Sequence, residues 1–184
     1  FGSTDIALIG IPATNPFDPA FLAKLRDVTD ALRDTEGIDS VLSLTNVSDY
    51  VEDPDGGGVT TDTLVHDLPT SQEEQDALRA KIMSRDHIVG TLISEDADAV
   101  LVYAFSAPGQ EPRAIATHVR EKVEAVFPDT KVYWGGAPFY STWIYETTER
   151  DMGRLTPWSI GTKIVVLLVA FRDIIGTGLG LLVC

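Results

Sequence analysis

The chain has 184 residues, and its 28 Asp and Glu against 14 Lys and Arg give a formal net charge of −14. That length holds one domain, or one domain with an appendage, and it can close a full core. The charge excludes nucleic acid as a partner, because phosphate binding needs Lys and Arg to displace counterions and no basic stripe is present.

The charge is unevenly spread. Phe1 to Leu155 carry 12 Lys and Arg against 27 Asp and Glu, a net −15, whereas from Thr156 onward only Lys163, Arg172 and Asp173 are charged. An acidic, soluble-looking part therefore runs into an apolar ending. The single cysteine, Cys184, can form no internal disulfide and belongs to no Cys metal cluster. Phe1-Gly2-Ser3-Thr4-Asp5 is not a signal peptide and there is no initiator Met, so the chain reads as a piece of something longer.

In chain order, "TDIALIGIP" (Thr4–Pro12) is a β-rich apolar run closed by Pro, which predicts a strand. Asp18 can cap and Pro19 suits a first helical position. Phe21, Leu22, Leu25, Val28 and Leu32 then recur at helical spacing, predicting a helix that ends near Gly37. Gly37–Val47 alternates well enough for a second strand. Ser48–Thr63, acidic with one Pro and three consecutive Gly, reads as a loop. Ser71 followed by Glu74 is a capping-box start for a helix over 70–86. "HIVGTLIS" (His87–Ser94) is a short apolar piece that reads as helix or strand, with helix favoured, and "AVLVYAFSA" (Ala99–Ala107) is the strongest strand signal in the chain. Ile115, Val119, Val123 and Val126 form one helical face, Thr130–Gly136 is a fourth strand, and Ala137–Trp158 is a further helix.

Without the insertion 48–98 the order is β-α-β-β-α-β. This predicts an α+β fold of the ferredoxin-like type, with an antiparallel sheet and both helices on one face. The expected domains are 1–136 for this unit, 137–155 for a connecting helix and 156–184 for an apolar helical tail. "WSIGTKIVVLLVAF" alone is short of the ~20 residues that a membrane-crossing helix needs. A hairpin turning at Arg172 would place that charge on the cytoplasmic side, and Gly176, Gly178 and Gly180 are common in membrane helices.

Several stretches carry a family resemblance: "FGSTDIALIGI", "GIDSVLSLTNV", "HIVGTLISEDADAVLVYAF", "VYWGGAPFY" and "ERDMGRLTPWSIGTKIVVLLVAFRD". In this order, over nearly the whole chain, they resemble the first periplasmic loop and second transmembrane helix of resistance–nodulation–division (RND) transporters. The branch is that of the mycobacterial-membrane-protein-large (MMPL) exporters and the hopanoid transporters. The resemblance implies a periplasmic or extracellular porter subdomain of a proton-driven exporter of lipids or other hydrophobic compounds, seated in the inner membrane with 1–155 outside the cytoplasm. It implies as partners the rest of the membrane bundle, a second porter domain, the membrane and a hydrophobic small molecule or lipid. Association of like chains through the apolar tail is a further expectation. The family's proton-relay acids lie on a later helix, so neither Asp151 nor Asp173 is assigned that role.

Catalytic signatures are missing. His66, His87 and His118 have no metal-ligand spacing. "EDPDGGG" lacks the Glu a calcium loop needs, since the twelfth position from Asp53 is Leu64. "GTGLG" follows no strand of a βαβ unit, and no G-x-S-x-G elbow occurs. The expectation is a protein that is not an enzyme and holds no cofactor or metal. In "FYSTWIY", Phe139, Tyr140, Trp143 and Tyr145 are the candidate residues for lining a greasy substrate's path, with packing of the helix on the sheet or a place at a membrane interface as their alternative roles. The rival to a transporter part is a soluble ligand-sensing or protein-interaction module on the same fold.

Overall fold

The structure is a computed structural model that describes the backbone of residues 5–52 and 59–171 and the side chains of 5–48 and 62–166. The first strand, β1 (Ile6–Pro12), alternates half-buried and buried positions, with Ala7, Ile9 and Ile11 inward. Helix α1 (Pro19–Arg33) starts where its sequence tells it to. The Asp18 carboxylate accepts from the amides of Ala20 and Phe21 at 3.0 and 3.1 Å, and Pro19 occupies a position whose N–H would be orphaned anyway. Its inner stripe is Leu22, Leu25, Val28, Thr29 and Leu32. Gly37, at φ +88, turns the chain into β2 (Ile38–Leu42), a conformation that costs a Cβ-bearing residue dearly.

Two further strands, β3 (Ser48–Glu52) and β4 (Val59–Thr63), pair with each other, and α2 (Gln72–Met83) follows. Strand β5 (Ala99–Ser106), helix α3 (Pro112–Val126), strand β6 (Tyr133–Gly136) and helix α4 (Ala137–Phe171) complete the described elements. The main sheet has the order β2-β5-β1-β6. Every neighbouring pair is antiparallel. Two β-α-β units, β1-α1-β2 and β5-α3-β6, interleave to give this order, which is the split arrangement the element pattern predicts.

Both apolar helix stripes share one core with the inward residues of β1 and β5, including Ile115, Val119 and Val123 from α3 and Val100, Val102 and Ala104 from β5. Phe21 of α1 meets Phe127, just beyond α3, with ring centroids 5.8 Å apart. Burying a Leu or Ile side chain fully is worth ~1.5–3 kcal/mol, so this single cluster dominates the domain's stability. The chain forms two compact units, Phe1–Thr142 and Trp143–Cys184.

Two expectations are corrected. Residues 48–63 are not simply a loop: Ser48 pairs with Thr63 and Glu52 with Val59 in a two-stranded hairpin. The acidic, Gly-rich composition belongs to its connection, 53–58, which lies outside the described residues along with most of the calcium-loop look-alike. Residues 87–94 are not a helix either. They form successive turns with isolated bridges, Val89 to Ile93 and Ile93 to Val100. Gly90 sits at φ +77 and its amide donates to the Ile93 carbonyl at 2.7 Å. The turns bury Ile88, Leu92 and Ile93 together. A helical pattern of burial is thus met by a backbone that is not helical.

Residues 137–155 and the first part of the apolar tail are one continuous helix, α4, which passes through Pro157. Among the described residues no helix is long and apolar enough to cross a membrane. The expected turn at Arg172 and the segment after it lie outside the described residues.

Candidate functional site

An antiparallel sheet with helices on one face usually presents polar side chains on the other. In this sheet the two central strands do not. Between their buried positions, β1 carries Ile6, Leu8 and Gly10, and β5 carries Leu101, Tyr103 and Phe105, all half-buried. The register sets Ile6 opposite Phe105, Leu8 opposite Tyr103 and Gly10 opposite Leu101. Across β1, Leu8 faces Gly135 and Gly10 faces Tyr133. Residues directly opposite share a face, so these side chains form one continuous apolar surface on the side away from α1 and α3.

Its chemistry is nearly uniform. The Tyr103 and Phe105 rings stack with centroids 6.4 Å apart, and Tyr133 is 58% exposed. The Tyr103 hydroxyl donates to the Thr91 carbonyl at 3.2 Å, so its polar tip is anchored at the margin. Gly10 and Gly135 keep the surface flat: a Cβ at either would come to 3.4 Å of Tyr133 Cβ or Leu8 Cβ. Leu42 extends it opposite Tyr103, while the exposed Ser40 opposite Phe105 and Lys131, whose Nζ lies 5.4 Å from the Tyr133 ring centroid, mark its polar margins; between them the surface offers dispersion and burial to an apolar partner.

The residues singled out in the sequence fall in two settings. Phe139 is buried and packs on Trp134 with centroids 5.0 Å apart. The exposed Arg120 guanidinium lies over both rings, 5.6 Å from Trp134 and 5.9 Å from Phe139. Tyr140, Trp143 and Tyr145 are instead about two-thirds exposed, at 67%, 64% and 65%. The structure therefore gives Phe139 a core contact and leaves the other three open. Sequence reasoning missed Arg120 and Trp134, whose spacing from Phe139 carries no local signal. It also missed the open sheet face. The signal was present there, because "IALIGIP" is apolar at both parities, which a strand with one polar face would not be.

His87 and His118 are exposed, and His66 Nδ1 lies 3.8 Å from the Asp62 carboxylate with its side chain 71% exposed. Among the described residues no three His, Cys, Asp or Glu side chains are placed to hold a metal ion.

Residues 12–183 match the MMPL family. The chain belongs to the MMPL family. A search of curated proteins found no match. MMPL proteins are transporters within the RND superfamily, and this chain is accordingly a transporter-related domain. In MMPL terms the split sheet and its apolar outer face belong to a protein concerned with transport, and Asp151 stands exposed on α4.

Proposed function

We propose that residues 1–136 are a ferredoxin-like porter subdomain, with 48–98 inserted, that handles hydrophobic substrates outside the cytoplasm for a proton-driven MMPL exporter. Residues 137–155 are the connecting helix, and 156–184 enter the inner membrane as the second transmembrane helix and the start of the third. The exporter's cargo is a lipid or another hydrophobic compound. The domain works with the rest of the membrane bundle and a second porter domain. It performs no covalent chemistry, and it supplies no proton-relay residue.

The observation that supports this reading is the outer sheet face. A surface of Ile6, Leu8, Leu101, Tyr103, Phe105 and Tyr133 is poorly matched to water. It is well matched to an acyl chain or to another apolar surface in the transport path.

The test uses the whole chain in detergent with a photoreactive fatty-acyl lipid, followed by digestion and mass mapping. Crosslinks at Leu8, Leu101 or Tyr103, competed by unlabelled lipid and lost in Leu8→Glu, are expected. Crosslinks confined to residues 143–184 would remove substrate handling from the sheet. The same chain is expected in the membrane fraction after an alkaline wash. A discrete species that is soluble without detergent would instead favour the ligand-sensing module.

A further inference from the structure

A cleft, separate from the apolar face, lies where α1 meets the foot of the β3–β4 hairpin. Its volume is about 270 Å³, and Arg26, Thr29, Asp30 and Arg33 line it from α1, with Asn46 and His66 across from them. Its α1 residues, 26, 29, 30 and 33, recur at helical spacing along one face, beside the buried stripe. Its opposite wall exists only because of the insertion, whose return strand is tied to the core where the Leu64 amide donates to the Val47 carbonyl at 2.9 Å.

Beneath the cleft lies a buried hydroxyl cluster formed by Thr29 of α1, whose Oγ1 donates to the Leu25 carbonyl at 2.7 Å, with Ser43 and Thr45 of the "SLTN" stretch. Thr29, Ser43 and Thr45 are at most 6% exposed. Thr29 Oγ1 lies 2.9 Å from Ser43 Oγ, and Ser43 Oγ lies 3.0 Å from Thr45 Oγ1. Asn46 Oδ1 accepts from the Ser43 amide at 2.7 Å while its Nδ2 donates to the Val41 carbonyl at 2.7 Å. These bonds fix the cluster's geometry.

Arg26 is held in place by the far wall. Its Nη2 donates to the carbonyls of Val65 and His66 at 3.3 and 3.1 Å. Among the described residues its bonds run only through Nη2, so Nη1 and Nε remain as donors on a half-buried, pre-positioned guanidinium. Arg33 pairs through Nη1 with Asp30 at 3.1 Å. The imidazole of His66 is near Asp62, whose Oδ1 also accepts from the Thr63 amide at 2.7 Å. The cleft thus gathers two guanidiniums with the Asp30 carboxylate in its lining and the Asp62 carboxylate beside His66 at its rim.

We infer that this cleft binds the phosphate group of a small phosphorylated molecule or of a lipid headgroup. Two planar guanidiniums with hydroxyl and amide groups between them suit a tetrahedral oxyanion. The volume of about 270 Å³ has room for a phosphate with a short polyol. Neither the charge nor the shape depends on the exporter reading.

The test is isothermal titration of the whole chain in neutral detergent at low salt, with inorganic phosphate and with glycerol 3-phosphate. A parallel titration uses mixed micelles containing phosphatidic acid. Saturable binding is expected, weakened about tenfold in Arg33→Gln, as loss of a charge-assisted contact implies, and unchanged in Lys122→Gln on α3. Arg33 is half exposed, so its replacement leaves the fold intact, and circular dichroism checks Arg26→Gln. Preference for the soluble anions identifies a free phosphorylated ligand, and preference for the micelles a headgroup. Either result, with the Arg33 dependence, supports the site. Absence of saturable binding to every probe, or equal binding by wild type, Arg33→Gln and a folded Arg26→Gln, overturns it.

Discussion

Gly136 ends β6 at φ +89, and a Cβ built there would overlap the Ile6 carbonyl oxygen across the sheet. Two independent penalties therefore fall on one position: an unfavourable backbone region and a clash with a backbone atom that cannot swing aside. Gly136→Ala is expected to lower stability by roughly 2–4 kcal/mol, read as a shift in denaturant midpoint. Gly153→Ala is the matched control, because a Cβ there meets nothing and Ala favours a helix. If the two variants melt alike, the close approach at Ile6 is not a constraint. The aromatic group around Phe139 is also decided residue by residue. Its contacts with Trp134 and Arg120 join β6, α3 and α4, and such joins across distant segments leave no trace in local spacing.

At the scale of elements, α2 shows a cap that depends on ionisation. The Thr70 amide and hydroxyl both donate to Glu74 Oε2, at 2.6 and 2.9 Å, while the Ser71 hydroxyl accepts from the Glu74 amide at 3.2 Å. The hydrogen bond from the Thr70 backbone, followed by that from its side chain, holds the Glu74 carboxyl below its ordinary value of 4.5. A depressed folded-state value means the contribution is complete above the ordinary value and is lost as pH falls through the lowered one. Melting temperatures of wild type and Glu74→Gln should therefore differ at neutral pH and converge in acid. A gap independent of pH would assign the effect to packing instead.

The elements with their own start signals, such as Asp18-Pro19 for α1 and Ser71 with Glu74 for α2, were legible in the sequence. The β3–β4 hairpin was not, because "DPDGGG" announces a connection loudly enough to mask short strands on either side. The turns at 87–94 were not legible because a short apolar run without clear periodicity suits helix or strand alike and says only that its side chains are buried. In the candidate site, Phe139 stood out as an aromatic in an aromatic run. The open sheet face became visible only once register set Leu8 opposite Tyr103.

For the whole molecule, the net charge of −14 is a repulsive load on the folded state. Simple salt screens it, with a Debye length shrinking from ~30 Å at 0.01 M to ~3 Å at 1 M. Raising sodium chloride across this range is expected to stabilise the chain by about 1 kcal/mol, or roughly 2–4 °C in melting temperature for this size. A fall in melting temperature with salt would mean that attractive pairs outweigh repulsion. The phosphate cleft should respond in the opposite sense, losing affinity as its own field is screened.

The place of β1 in the sheet has a consequence for how the protein is made. It is the earliest strand synthesised, yet it is flanked by the last two of the sheet: Ile6 pairs with Phe105, and Ala7 with Gly136. A nascent β1, apolar on both sides, has no partner until almost the entire domain has left the ribosome, and such late, long-range pairing is slow. The residue that completes its pairing, Gly136, is followed at once by Ala137, the first residue of α4. Closure of the sheet and the beginning of the long helix are therefore adjacent events on the nascent chain. A delay in the first leaves the greasiest strand of the domain waiting in the open beside the emerging second.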